Sequence, residues 1–405
     1  MALLGAGIGT ARAACDYYAA PGGTGNGLSM ASPFKISSFW SVASAGRTLC
    51  LMDGTYSGSE DMILPPQGLN GVSGAPITVR ALNDGKALIT GSGAQPPVQL
   101  NYNNWFVIEG VNACCSNASV IALLHADHNV IRRVAAWDAA DNNSEIFGIH
   151  GATFNLLEDV AGWGTARKVF QMSQGGDNTT IRRAWGRWER STVVGPKMTY
   201  ALAYNNYHLI CENCIGTWSG EGMPQSYVLR DYYGNPWTGG GAGTYSNYDV
   251  DQPIGVFGVD GEDANKNADA RLLGSLAYVK SSDKYKAGQV VIVTRLDSVE
   301  VSNTAVSVAP GASGAPVPFL LINQPGATNL RASNISAFGA SPSVIESTWA
   351  MSNVLPGVSP AAVYAGGENL FNASRGANLC YAYQNGNLTN QPLWPWPMNQ
   401  RIIDA

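Results

Sequence analysis

One short phrase recurs through the middle of this chain with altered side chains: WFVIEGV at 105–111, NVIRRVA at 129–135, NLLEDVA at 155–161, TIRRAWG at 180–186 and LICENCI at 209–215. Aligned as apolar-x-x-apolar, its anchors are Ile108/Val111, Ile131/Val134, Leu157/Val160, Ile181/Ala184 and Cys211/Cys214, spaced 23 to 30 residues apart, with weaker copies at Leu273/Leu276, Val301/Thr304 and Ala332/Ile335. A repeat of this length without helical periodicity cannot bury its apolar residues alone. Stacked copies can, which predicts a parallel β-solenoid.

The two residues between the anchors test the register independently. They are Glu109-Gly110, Arg132-Arg133, Glu158-Asp159, Arg182-Arg183 and Glu212-Asn213, so charge alternates from copy to copy. On stacked strands about 4.8 Å apart, alternating signs attract and matched signs repel. The double arginines therefore read as rungs of a charge ladder that fixes coil register.

Composition agrees with tightly turned β structure. The 405 residues are 13% charged and include 47 glycines, and the formal charge of −5 offers no basic surface for nucleic acid. No apolar run is long enough to span a bilayer. The segment 1–14, with Ala11-Arg12-Ala13, reads as the remnant of a signal peptide, which implies a secreted or cell-surface protein. Export would permit disulfides among seven cysteines, an odd number. Because Cys211 and Cys214 fall on inward anchors, they read as buried apolar residues rather than as a redox or zinc motif.

In chain order, a turn-rich segment at 17–27 precedes FKISSFWSVA at 34–43, whose spacing suits a short helix covering the open end of a solenoid. Strands follow at 48–56, 75–82 and 87–93. The β-helix domain is expected over 15–340, interrupted by an aromatic insertion at 219–252, with an irregular Pro-Trp strap over 341–405.

The order APGG, helix, TLCLMDGTY, APITVRA, ALITGSG, WFVIEGV resembles the N-terminal part of secreted right-handed parallel β-helix proteins. It is most similar to polysaccharide lyases of the chondroitinase B and alginate lyase type, over roughly residues 15–215. The resemblance implies an all-β solenoid acting on an acidic polysaccharide with the help of calcium. In those lyases a segment Asn-x-x-x-Glu-Ile-x-Ser-x-Lys-Ser carries a calcium-binding Glu and a basic Lys. NNSEIFGIHG at 142–151 is similar to it, which places Glu145 at the metal ligand and His150 at the base. The Arg of the next coil has no counterpart in VFQMSQGG at 169–176, and Lys168 and Arg190 are the nearby cations in sequence.

The residues themselves suggest a lateral row. His125, His150, Ser173 and Tyr204 each lie four positions after an apolar residue that opens a leading strand, and imidazole and phenol could exchange protons with a sugar polymer. The equal alternative is a row of hydrogen-bonding turn residues. Asp138 and Asp141, close before Glu145, could complete a calcium site, form the acid/base pair of a glycoside hydrolase, or belong to a solvated acidic loop. The acidic run 260–269 departs from an EF-hand at Ala268. Trp188 and Trp218 are candidate sugar platforms, whereas Trp137 and Trp163, at one offset from the anchors, read as packing. Two functions follow as expectations: cleavage of a polysaccharide by elimination or hydrolysis, or a non-catalytic surface or matrix rod.

Overall fold

The structure is a computed structural model. It describes residues 14–195, 197–203, 206–218, 230–237, 255–260 and 269–279, and beyond these the segments 291–294, 298–302, 304–308, 319–321, 329–338, 344–345, 350–356, 382–384 and 387–389. Tyr204 and the run 261–268 lie outside the described residues, as does most of the expected insertion and strap.

Among the described residues the architecture is a coil of parallel strands. A nine-stranded sheet runs in chain order from Val98–Asn101 through Ile121–Leu124, Glu145–His150, Lys168–Ser173, Met198–Ala203 and Gly255–Asp260 to Val344–Ile345. Each strand is parallel to the next. A larger sheet holds the recurring phrase, with Val130–Trp137, Leu156–Trp163 and Thr180–Trp188 side by side. The core lies between the two sheets.

The repeat register is the one read from sequence. Ile131 pairs with Ile108 and Leu157, and Ile181 with Leu157 and Cys211. The next copy is displaced by one residue from the expected Leu273: Cys211 pairs with Leu272. Leu272 and Leu273 are both buried, so apolar character alone does not separate them.

The second residue of each doublet has a conformational task. Gly110, Arg133, Asp159, Arg183, Asn213 and Gly274 all take positive φ, between 47° and 75°, at the position left out of the pairing register between the two halves of each copy. Left-handed backbone costs a non-glycine residue about 1–2 kcal/mol. Ion pairs offset part of it here: Arg183 binds Asp159 at 2.6 Å and Glu158 at 2.8 Å, and Arg133 binds Asp84 at 2.9 Å. Gly110 is required by the same arrangement, since a Cβ there would stand 2.9 Å from the Asp84 carboxylate that receives Arg133. The expected ladder is present in the first residues, with Arg132–Glu109 at 3.0 Å and Arg182 between Glu158 and Glu212 at 3.5 and 3.0 Å.

Stacked identical positions supply the rest of the cohesion. Phe147, Phe170, Tyr200 and Phe257 form a buried ring stack at 4.7, 4.7 and 4.9 Å. Asn103, Asn129 and Asn155 form a buried ladder, in which the Asn129 amide oxygen accepts from Phe106 N at 2.8 Å and its NH2 donates to the Asn103 carbonyl at 3.0 Å. At the N-terminal end a single helical turn, Ile36–Phe39, buries Ile36 and Phe39, shorter than the expected helix.

Three disulfides join Cys15 to Cys50, Cys114 to Cys115 and Cys211 to Cys214. The last corrects the reading of Cys211 and Cys214 as free thiols. Both are buried on the anchors as expected, but the left-handed residue Asn213 turns the chain between them and brings their sulfurs together. Cys380 lies outside the described residues.

Candidate functional site

The outer face of the nine-stranded sheet gathers the reactive side chains. In Glu145–His150 the core takes Ile146, Phe147 and Ile149, which leaves Glu145, Gly148 and His150 on the opposite face. Their proximity is direct, because a Cβ on Gly148 would lie 3.0 Å from His150 Nε2 and 3.1 Å from Glu145 Oε2. The imidazole thus folds back across Gly148 toward the carboxylate, 3.7 Å from it, an ion-pair separation rather than a hydrogen bond. On its other side Nδ1 meets Ser173 Oγ at 2.7 Å, one coil along and in register.

Glu145 is held from both neighbouring coils. The Ser119 hydroxyl donates to Oε2 at 2.8 Å while accepting from Glu145 N at 3.1 Å, and Lys168 stands in register on the following strand. Burial by itself would raise the carboxyl pKa. His150, the positive charge of Lys168 and the Ser119 hydroxyl outweigh it and hold Glu145 below the ordinary carboxylate range. Lys168 is 2% exposed and Ser173 fully buried, whereas the His150 side chain is 22% exposed. The group that solvent and a ligand can reach is therefore the imidazole, with its partners behind it.

His125 does not join this row. The strand register pairs His150 with Leu124, and His125 N donates to the His150 carbonyl at 3.0 Å from one position further on. The displacement arises because Ile146 and Phe147 both turn inward, so counting from Ile146 starts one residue early. His125 instead occupies a left-handed turn (φ 48°), exposed, with its ring stacked on Tyr102 at 4.9 Å. The alternative of turn residues holds for it.

The loop acids serve the backbone. Asp138 accepts from Thr165 N at 3.0 Å, and Asp141 accepts from Thr192 N at 2.8 Å and Ser191 Oγ at 3.1 Å as well as from the Thr192 hydroxyl. Neither bonds to Glu145. Arg190 is exposed and donates to Thr165 Oγ1 at 3.0 Å, on the same turn as Asp138. Trp188 is corrected outright: it is 1% exposed, with its indole N–H donating to the Ala166 carbonyl at 3.0 Å, and offers no face to a sugar. Trp218 pairs with it in strand register. Trp137 and Trp163 stack at 5.1 Å, as packing predicts.

Sequence reasoning missed Ser119, Gly148 and Gln171. The coil spacing could have found them: Ser119 precedes Glu145 by 26 residues, and Gly148 pairs with Gln171 on the next strand. Within the expected insertion, residues 230–237 pack back on the coils, where Asn143 N donates to the Tyr232 carbonyl and the Arg167 guanidinium lies over the Tyr232 ring at 4.4 Å.

No family profile and no curated protein matches the chain. Solved structures do. Pectate lyase Pel9A aligns over 93% of this chain and 88% of its own, at 17% identity and a TM-score of 0.61. A rhamnogalacturonan lyase aligns over 95% and 98%, at 14% identity and a TM-score of 0.50. The fold is the parallel β-helix of polysaccharide lyases. At such identities the likeness extends to the fold and not to individual site residues.

The described donors of this β-helix do not make a calcium site. Among the described residues no three His, Cys, Asp or Glu come together to hold a metal. Asp138 and Asp141 are committed to backbone N–H groups, and Glu145 already faces Lys168 and His150. The expected trio Glu145, Asp138 and Asp141 does not fit the ion, and no chemical step is routed through it.

Proposed function

We propose that the chain is a polysaccharide lyase that cleaves a uronate-containing polymer by β-elimination, with His150 as the base. The observation that carries this reading is the partly exposed imidazole fixed between Ser173 and Glu145 on the outer sheet face. With Nδ1–H donating to Ser173 Oγ, the lone pair that takes the proton beside the uronate carboxylate is on Nε2, the ring nitrogen that faces Glu145 across Gly148. Glu145, whose carboxyl is held below the ordinary range by His150, Lys168 and Ser119, then stabilises the imidazolium. As the C–H bond breaks, its electrons form the C4–C5 double bond and the C4–O bond opens; the proton held on Nε2 is the one the departing oxygen requires.

Elimination is favoured over hydrolysis because a glycoside hydrolase needs a second carboxyl group across the bond. The nearby candidates, Asp138 and Asp141, are tied to turns. The lyase structures that share the fold support a polysaccharide substrate. Three disulfides support a secreted or cell-surface location, where such polymers are met.

The test is to incubate the protein with pectate, rhamnogalacturonan, alginate, a chondroitin-type polymer and neutral glucans, and to follow the ultraviolet absorbance of unsaturated uronate ends. Release from an acidic polymer is expected. Absence of unsaturated ends from every acidic polymer would overturn the reading.

A further inference from the structure

Gln171 Oε1 is a buried acceptor without a hydrogen-bond partner. The residue is 6% exposed, and it lies between the inward Phe170 and Met172, so its side chain stands on the outer face of the sheet with Lys168 and Ser173. Strand register sets it beside Gly148, the position over which His150 folds toward Glu145. An orphaned buried acceptor of this kind is costly to keep and calls for an explanation. Along this row Gln171 stands between Gly148 and Ala201, with Ala122 and Gly258 beyond them, and the next carboxamide, Gln99, is three strands away beside Ala122. A large polar residue thus has small residues on both sides of it, next to the reactive pair.

We infer that Gln171 is a specificity-determining residue whose carboxamide oxygen receives a free hydroxyl of the sugar bound at His150. The inference rests on the reading of the Glu145–His150 face as a lyase site and deepens it. The ligand chemistry follows from the atom: an acceptor needs a donor, so the preferred substrate is a uronate with a free ring hydroxyl rather than its O-acetyl ester.

The test uses Gln171→Met and Gln171→Leu, which keep apolar bulk and remove the acceptor. Relative to the parent, both are expected to gain a few degrees in thermal midpoint, because a buried orphan is removed, while KM for the free uronan rises about tenfold or more. The parent is also expected to prefer the free polymer over its O-acetylated form, and the variants to lose that preference. Unchanged kcat/KM with both substrates would overturn the inference and assign the atom to a resident water. A fall in thermal midpoint in both variants would overturn it too, by making the carboxamide structural. If no uronan is cleaved at all, the lyase reading fails separately; calorimetric binding of an oligo-uronate to parent and variants then still decides the role of Gln171.

Discussion

Replacing Glu145 by glutamine removes the negative charge that faces His150 and Lys168 in a buried setting. Breaking a buried pair from one side costs about 3–5 kcal/mol, so Glu145→Gln should lower stability by that order at neutral pH. The pH dependence has a definite sign. The folded pKa of Glu145 lies below its unfolded value of about 4.3, so its contribution is fully present above that value and is lost as pH falls through the folded pKa. Urea unfolding at pH 7 should separate parent from variant, and the gap should narrow in acid; a gap that widens would contradict the assignment. Ser173→Ala, which frees His150 Nδ1, is expected to reduce kcat about tenfold and to move the pH–rate profile, with thermal midpoint little changed. At this scale the sequence was partly legible. Glu145 and His150 were visible as a motif, but their partners sit one coil away, where only register brings them close. Asp138 and Asp141 misled because nearness in sequence gives no information on which backbone N–H a carboxylate will cap.

Coils are joined by repeated side chains, and each ladder can be tested as a unit. Asn129→Ala would leave Phe106 N and the Asn103 carbonyl without the bonds Asn129 provides, a loss of about 3 kcal/mol measurable by denaturant unfolding. Arg183 and Asp159 are both mostly buried and face each other through two bonds. A double-mutant cycle on them should therefore give a larger coupling than one on Arg132 and Glu109, where Arg132 is 43% exposed and solvent screens the pair. The anchors and the alternating charges were legible because both recur at one period. What the period concealed was the left-handed residue between the half-strands: Arg133, Asp159 and Arg183 carry no sequence mark of positive φ, and Gly110, Asn213 and Gly274 reveal it only after alignment. The inward double step at Ile146 and Phe147 broke strict alternation and displaced the expected histidine row by one residue.

Across the whole molecule, each coil contacts chiefly its neighbours, so stability is close to a sum of coil and interface terms. The Cys15–Cys50 bond closes a loop of sequence separation 35 at the N-terminal end, and its removal should cost about 3–4 kcal/mol, read as earlier hydrogen exchange in the first strands. The proposed lyase would hold its polymer along the face of the nine-stranded sheet, on which His150 lies partway along the strand order. The central claim is that this imidazole performs the elimination. The most direct measurement compares parent and His150→Ala for release of unsaturated uronate from the acidic polymer that the parent cleaves best, with circular dichroism and thermal midpoint as controls. A loss of about 100-fold or more in kcat with the fold intact is the predicted result. Equal rates in parent and variant, at equal stability, would contradict the account.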